Sequence, residues 1–203
     1  MIRAFEDTVR RNGDGVFFRF ADANDEGHRG REVAVTYAQA RLNAIALMHQ
    51  MAREGVRRGG YVASDMDNCP AFVYLILACW YGGFKLITLN HRLKEQEKDE
   101  RLATVEDAFG IPPVLLTESD VHEMIGISSQ HETVRELIHS AQRAAALSFQ
   151  PDQSIIMFTS GTTGRAKGAQ LSASNIHDSA VAFNGLLGGG AGMLWQVCLP
   201  LYH

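Results

Sequence analysis

Short runs of β-branched, aromatic and aliphatic residues alternate with helix-patterned stretches along almost the whole chain, and this alternation confines it to a layered α/β architecture. Residues 16–20 (Val16-Phe17-Phe18-Arg19-Phe20) and 32–36 (Glu32-Val33-Ala34-Val35-Thr36) flank a polar, glycine-containing segment and are predicted to form two arms of a hairpin. Thr36 with Gln39 makes a capping box, so a helix is predicted over 37–54, with Ala40, Ile45, Leu47, Met48 and Met51 on its apolar positions and Gly55 as its stop. Residues 61–64 read as a strand, 70–81 as an apolar helix opened by a proline, and 85–89 as the next strand, which predicts a parallel crossover. A charged segment at 92–107 reads as a solvated helix or loop, 114–117 as a strand and 131–148 as an amphipathic helix.

Near residue 150 the pattern changes. Gln150-Pro151-Asp152 punctuates the chain, and residues 154–159 form a strand that feeds a glycine-rich turn. This divides the chain into a first α/β subdomain at 1–150 and the start of a second at 151–203. After the turn, 172–187 has helical spacing broken by Gly185 and by Gly188-Gly189-Gly190, and 194–199 reads as a strand ending at Pro200.

Composition excludes several classes. With 203 residues, 46% apolar and 21% charged, the chain can bury a sizeable core, and disorder, collagen and coiled coil are ruled out. Nineteen basic against 23 acidic residues give a net charge of −4, without the positive field that nonspecific nucleic-acid binding requires. Cys69, Cys79 and Cys198 form no C-x-x-C pair and suit a reducing cytoplasm. Charges in the first seven residues argue against a secretory signal. The uncharged stretch at 68–84 contains Pro70, Gly82 and Gly83 and falls short of the roughly 18 residues of a membrane span, so it reads as a buried helix. Its Phe72, Tyr74, Leu75, Leu77, Trp80 and Tyr81 are assigned to core packing. Residues 92–101 alternate in sign, which suits a solvated face without a function, and His122, His131 and His139 lack the spacing of a zinc site.

The segment that carries chemistry is Thr159-Ser160-Gly161-Thr162-Thr163-Gly164-Arg165-Ala166-Lys167-Gly168, read as lying between an apolar strand and a helical segment. Its glycines let successive N–H groups converge on one concavity, its hydroxyls match phosphate oxygens, and Lys167 adds positive charge, so it is suited to hold an anion. Arg165 reads as a solvated side chain. The Walker pattern fails, because Ala166 stands where its second glycine belongs and Gly168 follows Lys167 in place of Ser or Thr. The dinucleotide pattern G-x-G-x-x-G fails at residue 163.

This segment resembles the signature loop of the adenylate-forming ligases, the superfamily of acyl- and aryl-CoA synthetases, luciferases and nonribosomal-peptide adenylation domains. Further stretches are similar to the same family in the same order: Thr36-Tyr37; Gly55-Val56 with Arg58-Gly59; Asn68, Pro70 and Phe72, similar to its N-x-P-x-F pattern; Gly82, Gly83, Leu89, Asn90 and Arg92; and Leu199-Pro200-Leu201-Tyr202-His203, similar to its LPLFH segment. Ala166 replaces the family's proline before the lysine, and Gly60 stands where the family commonly has aspartate. The family's adenine site, ribose-binding aspartate, hinge and carboxy-terminal lysine have no counterpart before His203. The resemblance thus implies an amino-terminal part of a longer enzyme, with the layered αβαβα arrangement of that family's large domain incomplete at its carboxyl end.

What the resemblance implies chemically is ATP-dependent activation of a small carboxylic acid to an acyl-adenylate, with release of pyrophosphate, and then transfer of the acyl group to coenzyme A. Thr159, Ser160, Gly161, Thr162, Thr163, Gly164 and Lys167 would bind the nucleotide, Lys167 would act in catalysis, Thr163 would ligate Mg²⁺, and His203 would line the acyl pocket. Two other readings stay open: an adenylation domain that loads a carrier-protein thiol, and a nucleotide-binding or interaction module without catalysis. A chain separated from the rest of such an enzyme is expected to be inactive alone and to self-associate through uncovered sheet edges and apolar surface.

Overall fold

A computed structural model describes residues 2–23, 29–131, 133, 135–137, 139, 154–159, 166–188, 195–197 and 199–202. The chain opens with helix α1 (Ile2–Asn12), which buries Ile2, Glu6 and Val9 on one face. Its many charges hid this stripe from the sequence reading. Strands β1 (Val16–Ala23) and β2 (Arg29–Thr36) pair antiparallel as the predicted hairpin. Helix α2 (Tyr37–Arg53) starts where the capping box puts it: the Gln39 N–H donates to Thr36 Oγ1 at 3.2 Å and the Thr36 N–H to Gln39 Oε1 at 2.9 Å.

Strand β3 (Tyr61–Asp65), helix α3 (Pro70–Gly82) and strand β4 (Lys85–Thr88) form the predicted parallel crossover. Pro70 sits in the first turn of α3, where a missing N–H costs no hydrogen bond. Gly83 ends the helix at φ 69°, a left-handed conformation that favours a residue without Cβ. Helix α4 (Glu95–Phe109) and strand β5 (Val114–Thr117) follow, then α5 (Glu118–His131). Strands β6 (Ser154–Thr159) and β7 (Lys167–Ser172) and helix α6 (Ala173–Leu186) complete the described elements.

The main sheet has the order β5-β3-β4-β6-β7, parallel except for β7. Because β6 pairs with β4, one sheet runs across residue 150. Period-2 alternation sends side chains to opposite faces. Val62, Leu86, Leu116 and Ile155 meet the cluster built with α2, α3 and α5, whereas Tyr61, Ala63, Ile87 and Ile156 meet Val105 and Leu102 of α4. Helix α3 is apolar on every side because it lies between the sheet, α2 and α5. Phe72, Tyr74, Leu75, Leu77 and Tyr81 are all buried there, as the sequence implies. One polar contact ties three helices together: the Tyr81 hydroxyl donates to the buried Glu6 carboxylate, which also faces Arg41 Nη1 at 3.5 Å.

Several expectations are corrected. Residues 159–168 join two antiparallel strands and do not pass straight from strand to helix; Lys167-Gly168-Ala169-Gln170-Leu171-Ser172 carries too little β-branched character to announce a strand. Gly168 stands opposite Phe158, where a Cβ would come within 3.1 Å of Ile156 Cγ2 and 3.4 Å of Phe158 Cε1. Gly185 lies inside α6, which reaches Leu186 before Gly188 turns the chain at φ 65°.

Of the strand predicted at 194–199, the described residues 195–197 and 199 belong to no strand. Among the described residues no sheet edge pairs with them, and an apolar run becomes a strand only where a neighbouring strand takes its backbone groups. A helix begins at Glu118, well before residue 131, with a cap in which Thr117 and Asp120 bond reciprocally. The Thr117 hydroxyl and N–H hold the Asp120 carboxyl below the usual carboxylate range. Most of the helix expected at 131–148 lies outside the described residues.

The charged segment at 92–107 is only partly a solvated face. Lys98 is 5% exposed, and its Nζ lies 2.7 Å from Asp65 Oδ2 and 2.8 Å from Glu95 Oε1. Those hydrogen bonds push the Lys98 pKa up, as expected for an ammonium with two carboxylate partners. Among the described residues no helix is long and apolar enough to cross a membrane.

Burial pushes the Cys69 thiol up to about 11, with the Glu118 carboxylate adding to the rise, and pushes Cys79 up by desolvation. The thiolate is the reactive form, so both should resist a maleimide at pH 8 while the chain is folded and react once it is unfolded in urea. Peptide mass mapping reads this directly. Rapid labelling of either residue without denaturant would contradict the packing around α3.

Candidate functional site

The connections from β3 to β4 and from β4 to β5 run to opposite sides of β3, with α3 on one face of the sheet and α4 on the other. Such a reversal opens a crevice at the carboxyl ends of the strands, where ligands bind in open α/β sheets. The segment at 199–202 lies at this crevice. Asn68, just after β3, donates from Nδ2 to the Leu199 carbonyl at 3.0 Å, and its Oδ1 accepts the Leu201 N–H at 2.7 Å. Thr88, which ends β4, donates from Oγ1 to the Tyr202 carbonyl at 3.2 Å. The His91 ring meets the Tyr202 ring edge to face at 5.8 Å, and His91 Nε2 lies 3.5 Å from Asp67 Oδ2.

Two strands away, Thr159 ends β6 and Lys167 begins β7. They are cross-strand partners, and Thr159 Oγ1 donates to the Lys167 carbonyl at 3.4 Å. The hydroxyl and the exposed ammonium thereby mark the two ends of the loop at 160–165. Ser160, Gly161, Thr162, Thr163, Gly164 and Arg165 lie outside the described residues, as does His203. Among the described residues no group of three or more His, Cys, Asp or Glu could hold a metal ion.

Arg101 of α4 belongs to the charged segment whose alternating signs predict a solvated face. Instead its guanidinium lies over the Phe158 ring at 5.7 Å, and its Nε and Nη1 are buried with no hydrogen-bond partner among the described residues. That puts positive charge beside the end of β6. The helical spacing of Lys98, Arg101, Leu102 and Val105, which share the sheet-facing side of α4, was the available signal. An apolar groove of about 500 Å³ opens between α3, the sheet and α6, lined by Ile76, Leu86, Ile155, Met157, Phe183 and Leu201 among others.

The family described as AMP-binding enzyme matches this chain over residues 5–203. The chain belongs to that family. It is 27% identical over 169 residues to the 2-succinylbenzoate–CoA ligase of Bacillus subtilis (strain 168), covering 83% of this chain and 35% of that one. To the 2-succinylbenzoate–CoA ligase of Bacillus pumilus it is 32% identical over 162 residues, covering 77% and 32%.

Among solved structures it is similar to the Bacillus subtilis o-succinylbenzoate CoA synthetase bound with a product analogue, with a TM-score of 0.66 and 26% identity over 84% of this chain and 35% of that one. It is also similar to the same synthetase in complex with ATP and magnesium ion, with a TM-score of 0.62 and 30% identity over 85% and 46%. The chain therefore spans about a third of the length of the curated relatives it matches. The α/β layering expected from the adenylate-forming resemblance is the fold of the amino-terminal domain of these enzymes.

Proposed function

We propose that this AMP-binding chain is the amino-terminal part of an ATP-dependent carboxylate–CoA ligase. In the first half-reaction a carboxylate oxygen attacks the α-phosphorus of ATP and the bond to pyrophosphate breaks. In the second, the coenzyme A thiol attacks the acyl carbonyl and AMP leaves. Thr159, Ser160, Gly161, Thr162, Thr163, Gly164 and Lys167 bind the β- and γ-phosphates, where negative charge grows as pyrophosphate departs. Thr163 would offer its hydroxyl to a Mg²⁺ ion, which would supply Lewis-acid charge to the phosphates. His203 faces the carboxylate, and the groove beside Leu201 and Phe183 takes the acid's apolar body.

The observation that carries this reading is the pairing of Thr159 with Lys167 across β6 and β7, which sets a hydroxyl and an ammonium at the two ends of a glycine-rich loop. The relatives support it, since two structures of the synthetase hold the acyl-adenylate intermediate and ATP with magnesium ion. Exposed apolar side chains at Val181, Leu186, Val197 and Leu199 support a larger protein in which they are covered, and self-association of the chain when it stands alone.

The test is pyrophosphate release by the full-length protein, assayed against a panel of aliphatic, aromatic and dicarboxylic acids that includes 2-succinylbenzoate. We expect at least one acid to drive release, with CoA then converting the adenylate to a thioester and AMP. Acid-dependent release with transfer only to a carrier-protein thiol would move the chain to the adenylation-domain reading. No acid-dependent release, with ATP still bound, would move it to a non-catalytic nucleotide-binding module.

A further inference from the structure

We infer that Asn68 is a positioning residue for the acyl-activation site: it sets the backbone of 199–202, the segment that leads into His203, to which the ligase reading gives the carboxylate. The inference rests on the ligase reading above and on the place it gives His203.

A side-chain amide has a donor and an acceptor side by side, the same pair that an extended backbone presents at its edge. Asn68 uses both, donating to the Leu199 carbonyl at 3.0 Å and accepting the Leu201 N–H at 2.7 Å. The two bonds straddle Pro200, which has no N–H to offer, so the backbone donor that Asn68 accepts comes from the residue after it.

The Thr88 hydroxyl adds a third grip at the Tyr202 carbonyl, the last peptide group before His203, and Thr88 and Tyr202 are both buried. All three bonds originate at the carboxyl ends of β3 and β4, elements separated from 199–202 by more than a hundred positions along the chain. The sheet thus sets where an otherwise irregular segment runs. Among the described residues 199–202 takes part in no strand, so these side chains stand in for a ladder.

Chemistry dictates how substitutions should behave. Asn68→Asp keeps the acceptor for the Leu201 N–H and loses the donor to Leu199, whereas Asn68→Ala loses both. In the full-length protein, assayed by carboxylate-dependent pyrophosphate exchange with an acid found active for the wild type, Asn68→Ala should lower kcat/KM for the acid about tenfold. Asn68→Asp should fall between it and the wild type. The KM for ATP should stay within about twofold, because the phosphate loop lies on other strands.

A residue that only supports folding would lower the amount of active enzyme and leave both KM values alone. That result, or an unchanged KM for the acid in Asn68→Ala, would overturn the assignment. If the wild type itself activates no acid, the ligase reading fails first and this inference goes with it, an outcome separated from the others by the wild-type control. Hydrogen exchange at the Leu201 amide gives an independent reading: Asn68→Ala should accelerate it, and unchanged protection would show that the grip is not made.

Discussion

Replacing Lys167 by alanine in the full-length protein should reduce the rate of carboxylate-dependent pyrophosphate release by about 10²–10³-fold, the loss of ~3–4 kcal/mol typical of removing one preorganised transition-state donor. Lys167 opens β7 and is exposed, while the β6 partner Thr159 fixes its backbone, so its side chain starts from the end of the loop. As the bond to pyrophosphate breaks, charge accumulates on the oxygens that leave. A cation already there is worth more in the transition state than in the ground state. The acid KM should therefore stay within about threefold while kcat falls. Single-turnover formation of the acyl-adenylate is the direct measurement, and an unchanged rate would remove Lys167 from the phosphate site.

The largest expected effect on stability is at Phe72. This ring is 0% exposed and lies in α3, between the sheet on one side and α2 and α5 on the other. Phe72→Ala deletes a ring from a packed interior and leaves a cavity whose lining belongs to several elements, so collapse can fill little of it. The expected cost is about 3–5 kcal/mol, a large share of the roughly 5–15 kcal/mol that holds a domain together. The control is Phe183→Ala in α6, where the side chain is 59% exposed and the change should stay within about 0.5 kcal/mol. Urea unfolding followed by circular dichroism measures both. A Phe72 variant within 1 kcal/mol of the wild type would mean that α3 is not the centre of the core.

The legible part of the fold was the part that follows from local rules. Thr36 and Gln39 announce α2 because a capping box satisfies the first turn's N–H groups wherever the helix later packs. The apolar run at 70–81 announces a buried helix because only a core can take so much apolar surface. The strands at 61 and 85 are rich in apolar residues for the same reason: both faces of the sheet centre are covered, whereas the strand at 114 lies at the edge and is partly exposed. The motifs at 36–37, 68–72, 159–168 and 199–203 were enough to point to the AMP-binding family.

Other features depended on neighbours that no local window contains. β7 is a strand because β6 offers it hydrogen-bond partners, and Gly168 is tolerated there because Phe158 and Ile156 crowd the place of a Cβ. The described residues of 194–199 show the converse, an apolar run with no edge to join among the described residues. Lys98 and Arg101 look like solvated charges until Asp65 and Phe158 face them across the α4–sheet interface.

By itself, then, the sequence determined the hairpin, α2, α3, the strands at 61, 85, 114 and 154 and the family resemblance, since each is set by residues close together in the chain. Only the tertiary structure decided the strand order, the antiparallel return after the loop and the hold of Asn68 and Thr88 on residues 199–202. Those arise from hydrogen bonds and packing between positions far apart in sequence, and such pairings acquire their free energy only when the sheet has closed.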